Sequence, residues 1–179
     1  MLLGVKRSFK VHGAIAGGAS ALLLSLAALT CVPGVSLPED TAEAAMGLGV
    51  LLLFPVFVAA VVRGVLTKAT KSEIWSAFRC LPGNVQLALG ALTVAGFALA
   101  FTGASTTSLQ NPEVINGRYY AYDTAVGHRG RAEVSREAYE TAVEGEQRTM
   151  LSIPGLLFAA AAYFTLATGE LRRADAAKA

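Results

Sequence analysis

Charge is what this chain has least of. Asp, Glu, Lys and Arg make up 16% of its 179 residues, against about a quarter in ordinary soluble domains, and the shortfall is concentrated in four long blocks that contain none of them. That distribution excludes a soluble enzyme, a disordered tail and a nucleic-acid module that binds through overall charge. Cysteine is scarce too: Cys31 and Cys80 have no CxxC neighbour, so neither a disulfide framework nor a thiolate metal site is indicated. The two histidines are His12 and His128, and no HExxH, GxSxG or Walker A pattern occurs. The expectation is a protein that is not an enzyme, with no cofactor and no metal.

What fills the blocks is apolar. Hydrophobic residues reach 54% of the chain, and a bilayer core about 30 Å thick needs roughly 20 such residues in a helix. Residues 11–32, 44–62, 84–103 and 150–169 meet that requirement. Pro33-Gly34 ends the first, Asp40 with Glu43 suggests a capping-box start to the second, Pro82-Gly83 introduces the third, and Arg172-Arg173 follows the fourth. The first span has the basic start of a signal peptide, Lys6, Arg7 and Lys10, and ends in a Leu-Thr-Cys sequence at Cys31. Its length and the Thr30 before the cysteine favour a retained anchor over a cleaved leader.

The charges that remain are sorted by side. The N-terminus, the loop between spans two and three and the C-terminal tail carry ten basic and three acidic residues, a net +7; the other side nets −5, and together they make the overall +2. By the positive-inside rule, both termini are expected in the cytoplasm of a multi-pass plasma-membrane protein. The span interiors read as free of ionisable groups, with hydroxyls such as Ser152, Thr165 and Thr168 expected to bond back to their own helices. That argues against a pump or coupled transporter. Small residues suggest helix packing: Gly13, Gly17 and Ala21 in span one, Gly96 in span three, Gly155 and Ala159 in span four. Pro55 and Pro154 are expected to kink their helices, Pro154 separating span four from the helix before it.

Two segments lie outside the spans. Residues 68–82 read as an amphipathic cytoplasmic helix capped by Ser72, with Ile74, Trp75, Phe78 and Leu81 on one face and Trp75 and Phe78 as membrane-interface anchors. Residues 104–148 read as an extracytoplasmic cap of strand, strand and helix. Asn116-Gly117 signals a hairpin, residues 131–134 a second short strand, and Ser135 caps the helix, along which Arg136–Glu140 and Glu144–Arg148 are spaced to pair. Tyr119, Tyr120, Tyr122, His128 and Tyr139 are the candidates for partner contact, either as a binding surface or as the cap's own core. The fold class expected is therefore an all-α integral membrane protein with four transmembrane helices and a small extracytoplasmic cap between the third and fourth.

The sequence Asn116-Gly117-Arg118-Tyr119-Tyr120, followed by His128 and by Val134-Ser135 with Tyr139, resembles a stretch in small four-helix membrane proteins of high-GC, actinobacteria-like bacteria. In that group a GxYY…H…VSxxxY pattern precedes the last helix. The resemblance covers about the last third of the chain and implies a bacterial plasma membrane, but no activity. Together these readings point to a non-catalytic interaction protein (an accessory subunit, assembly factor or sensor), with a membrane-protein partner or a second copy of itself and no nucleic acid. The alternative is a passive channel or small-solute carrier formed by oligomers.

Overall fold

The computed structural model describes residues 2–178, with side chains from Arg7 to Ala177. The side chains of Lys6 and Lys178, counted above with the basic side, lie outside the described residues. Among the described residues, five helices and three strands follow one another as α1 Leu2–Leu29, α2 Glu39–Thr67, α3 Lys71–Arg79, α4 Gly83–Ser105, β1 Leu109–Ile115, β2 Arg118–Asp123, β3 Gly130–Glu133 and α5 Arg136–Lys178. Four of the helices, α1, α2, α4 and α5, are long and apolar enough to cross a membrane.

Local chemistry sets most of the boundaries, in places differently from expectation. Pro38 precedes α2 without any side-chain cap, so the Asp40–Glu43 capping box does not form; Glu39 and Asp40 instead place negative charge in the first turn, where the helix dipole favours it. Helix α3 is capped by Thr70 rather than Ser72. The Thr70 hydroxyl accepts from the Glu73 amide at 3.3 Å, while the Thr70 amide donates to Glu73 Oε2 at 2.7 Å. The reason is spacing: a capping box needs an acid three residues after the cap, which Thr70 has in Glu73 and Ser72 lacks. Leu81 consequently falls beyond the helix end at Arg79.

Helix α5 is the central element. It runs 43 residues, roughly 65 Å at 1.5 Å per residue, and α1, α2, α3 and α4 all pack on it. Leu151, Phe158, Ala161 and Ala162 of α5 meet Ala16, Leu23 and Ala27 of α1, Ala60 of α2 and Leu89 of α4 in one core. Outward-facing side chains of α2 and α4 are large and apolar, with Phe54 and Leu87 each 75% exposed. Pro154 does not break α5, which continues through it as one helix. A proline removes a single backbone donor, and here it is buried beside Gly155, whose face lies against Leu24 of α1.

The cap holds three antiparallel strands in the order β1-β2-β3, not two. Strand β1 was obscured by Pro112, which cannot donate to a ladder. The register shifts between Gln110 and Glu113, and Asn111 takes a positive φ of 48°, so the proline sits in a bulge. At the hairpin Asn116 and Gly117 both have positive φ, 52° and 78°, the pair of values a tight two-residue turn requires.

Candidate functional site

Alternation along β2 divides the tyrosines. Residues opposite one another in the ladder share a face, and on one face Ala121 pairs with Ala132 and Tyr119 with Val114. This face turns toward α5: Ala121 is buried, and the Tyr119 ring lies 4.9 Å from that of Tyr139. Tyr119 and Tyr139 thus form the seat of the sheet on α5. Ser135 fixes the start of that helix, its Oγ accepting from the Ala138 amide at 3.1 Å.

The other face carries Tyr120 and Tyr122. Tyr120 stands opposite Glu113 on one side and Glu133 on the other, and Tyr122 opposite Gln110 and Arg131. Arg118 pairs with Glu133 at 3.4 Å, Arg131 pairs with Glu113, and the Arg131 guanidinium lies 5.8 Å from the centre of the Tyr120 ring. Tyr122 is 44% exposed. Two aromatic rings bordered by two cross-strand ion pairs therefore form the free face of the sheet, and β1 and β3 are its two edges. His128 is exposed in the loop between β2 and β3 and belongs to neither face. That loop is anchored by Asp123, whose Oδ1 accepts from the Ala125 amide at 2.9 Å and the Ser108 hydroxyl at 2.8 Å. These bonds, the backbone one foremost, hold the Asp123 carboxyl below the usual aspartate range.

Beneath the sheet, one face of α5 clamps the segment that follows α1. Glu144 Oε1 accepts from the Gly34 amide at 2.8 Å, and Gln147 exchanges two bonds with the backbone of Leu37, at 2.9 and 3.0 Å. Arg148 is buried, at 7% exposure; it donates to the carbonyl and the hydroxyl of Thr30 and to the Thr106 hydroxyl. The Glu144–Arg148 pair expected from spacing does not form, because each side chain is used across the helix interface instead. Arg148 sits at the C-terminal end of α1, where orphan carbonyls and the negative end of the dipole favour a cation. Sequence reading missed this clamp; its signal is the spacing of Glu144, Gln147 and Arg148 on one helical face.

The remaining candidates are placed as follows. Gly13, Gly96 and Gly155 are points of close approach, where an added Cβ would stand 2.5 Å from Leu166, 2.6 Å from Leu156 and 2.8 Å from Leu24. Gly17 has room for a methyl, with Ala162 Cβ at 4.0 Å. Ala21 is exposed and Ala159 buried. Phe78 turns inward onto Tyr163 of α5, ring centres 5.0 Å apart, while Trp75 stacks on Phe78 at 5.5 Å and stays 55% exposed. His12, the second residue of the first expected span, is half-buried in α1 with Nε2 3.0 Å from the Val56 carbonyl of α2. The hydroxyls do not all bond back. Ser152 does, to Thr149, whereas Ser20, Thr165 and Thr168 are buried without a hydrogen-bond partner.

Among the described residues, no group of three or more His, Cys, Asp or Glu side chains could hold a metal ion, and Cys31 and Cys80 are both free and exposed. No protein-family model matches the chain, and comparison with curated proteins and with solved structures gives no match.

Proposed function

We propose that the chain is a multi-pass protein of a bacterial plasma membrane, with cytoplasmic termini, that acts as a non-catalytic interaction protein. Its partner, another membrane protein, is contacted through the extracytoplasmic sheet, and the role is that of an accessory subunit, assembly factor or sensor. The large apolar side chains turned outward on α2 and α4 suit a lipid environment, and the charge asymmetry gives the orientation. The observation that carries the partner reading is the free face of the sheet. Tyr120 and Tyr122 offer rigid aromatic area between ordered ion pairs, the composition of an interface centre with a polar rim.

The test is capture through a C-terminal tag in mild detergent, comparing the wild-type chain with Tyr120→Ala/Tyr122→Ala. The wild type is expected to retain a partner that the double variant loses, with thermal stability unchanged because neither ring belongs to the face packed on α5. Repeated recovery of the wild-type chain alone, as a monomer, removes the proposal.

A second reading, an oligomeric passive channel or small-solute carrier, is favoured by one groove. Between α1 and α4 lies a cavity of about 860 Å3, lined by Gly17 and Ala21 on one helix and by Ala91 and Ala95 on the other. Small residues let a further helix approach closely, so a second copy fits there. This reading requires a multimer by native mass spectrometry and solute flux in proteoliposomes; a monomer without flux excludes it.

A further inference from the structure

At the end of the bundle opposite the sheet, two guanidinium groups lie against one aromatic ring. Arg63 of α2 lies 4.7 Å from the centre of the Phe9 ring and Arg172 of α5 lies 5.6 Å from it. Arg63 also donates to the Ser8 hydroxyl at 2.9 Å, which holds the guanidinium plane in place. Arg7 is one residue away, on the same rim. Among the described residues, the carboxylate ion pairs engage Arg118, Arg131, Arg136 and Arg173, and none reaches Arg7, Arg63 or Arg172.

The rim opens into a cleft between α1 and α2 of about 530 Å3. Its charged groups stand at one end, and His12, which also lines the cleft, has its Nε2 3.0 Å from the Val56 carbonyl. Arg7, Ser8 and Arg63 stand at the mouth, whereas Val11, Ile15, Pro55 and Ala59 line the wall that continues toward the middle of the bundle. From Ser8 to Ile15 this wall descends roughly 10 Å at 1.5 Å per residue. Val11 and Ile15 are half exposed or more, so the wall is open along its side. An arginine fork matches phosphate oxygens in two-point contact, and an apolar wall directly below it suits a hydrocarbon chain.

We propose that this cleft binds one anionic phospholipid, its phosphate held by Arg7, Arg63 and Ser8 and one acyl chain lying along Val11, Ile15, Pro55 and Ala59. The charge at the mouth selects the headgroup and the apolar wall distinguishes a lipid from a free anion. The inference rests on the membrane reading above and on its orientation, which puts this end at the cytoplasmic leaflet, where anionic lipids gather.

The experiment is native mass spectrometry of the full chain in a neutral detergent, titrated with phosphatidylglycerol, with phosphatidylcholine of the same acyl chains, or with inorganic phosphate. The wild type is expected to hold one phosphatidylglycerol at least roughly tenfold more tightly than phosphatidylcholine, and Arg7→Gln/Arg63→Gln to lose roughly that factor. Lys68→Gln/Lys71→Gln removes the same charge outside the cleft and is expected to change little. Ala59→Leu, which narrows the apolar wall without touching charge, is expected to weaken phosphatidylglycerol severalfold. Equal binding of the two lipids by the wild type overturns the proposal without any variant having to fold. So does equal loss from the lysine and arginine pairs, or inorganic phosphate competing as well as the lipid. A chain that fails to sediment with membranes at all sinks the membrane reading; a membrane-embedded chain with no headgroup preference sinks this inference alone.

Discussion

Arg148 and Asp123 are the two side chains with the most to say about how single residues hold this molecule. Arg148 satisfies the end of α1 from within α5, and its removal leaves the Thr30 carbonyl buried without a donor. Arg148→Ala is expected to lower stability by about 2–3 kcal/mol, as for a lost hydrogen bond to a charged group. Arg148→Lys should recover only part, since an ammonium cannot reach both Thr30 and Thr106 with a planar fork. Thermal unfolding in detergent measures both. Asp123 has its folded pKa depressed by the Ala125 amide and the Ser108 hydroxyl. Its contribution is therefore present above the ordinary aspartate value and is lost as pH falls through the lower, folded one. Hydrogen exchange at the Ala125 amide, corrected for its intrinsic rate, should show the turn opening only in that acid window. Asp123→Asn should remove the pH dependence.

Among the elements, a small-residue pattern picks out some of the contacts that decide packing, Gly13, Gly96 and Gly155, but not all of them. Gly17 belongs to the GxxxG pair of α1, yet a methyl there meets only ordinary contact. Gly103 of α4, which no pattern marked, faces α5 so closely that an added Cβ would meet the Thr149 hydroxyl and stand 2.9 Å from the Gly145 carbonyl. Backbone cannot swing aside as a leucine tip can. Gly103→Ala is accordingly expected to destabilise by about 1–3 kcal/mol, whereas Gly17→Ala is expected to be neutral or stabilising by up to about 1 kcal/mol, alanine being the better helix former. Paired melting curves of the two variants decide the matter, and equal losses would contradict the close-packing argument. The strands show the same limit of local reading. Asn116-Gly117 was legible because turn chemistry is local, but β1 was not, since Pro112 is tolerated only through a bulge made against β2.

For the whole molecule, the separation of a basic end from the sheet-bearing end is the feature that bears on function. It also provides a test of orientation with no engineering, because the two native cysteines are exposed and fall on opposite sides of the topology read from charge. In intact cells a membrane-impermeant maleimide should label Cys31 from outside and reach Cys80 only after permeabilisation. The reverse pattern would invert the topology and remove the partner reading of the sheet with it.

The shortage of charge noted at the outset is enough, by itself, to determine four apolar helices and the sorting of charge between their ends, because both depend only on composition along the chain. Turn and cap signals likewise depend on neighbours within a few residues. Only the tertiary structure decided that α5 is the central helix, that Glu144, Gln147 and Arg148 grip the segment after α1, and that Tyr119 and Tyr139 pack inward while Tyr120 and Tyr122 remain free. Periodicity tells which residues share a face, but not what covers that face. Covering depends on side chains brought together from as far apart as Thr30 and Arg148, and the spacing of Glu144, Gln147 and Arg148 on one face does not say which segment they grip.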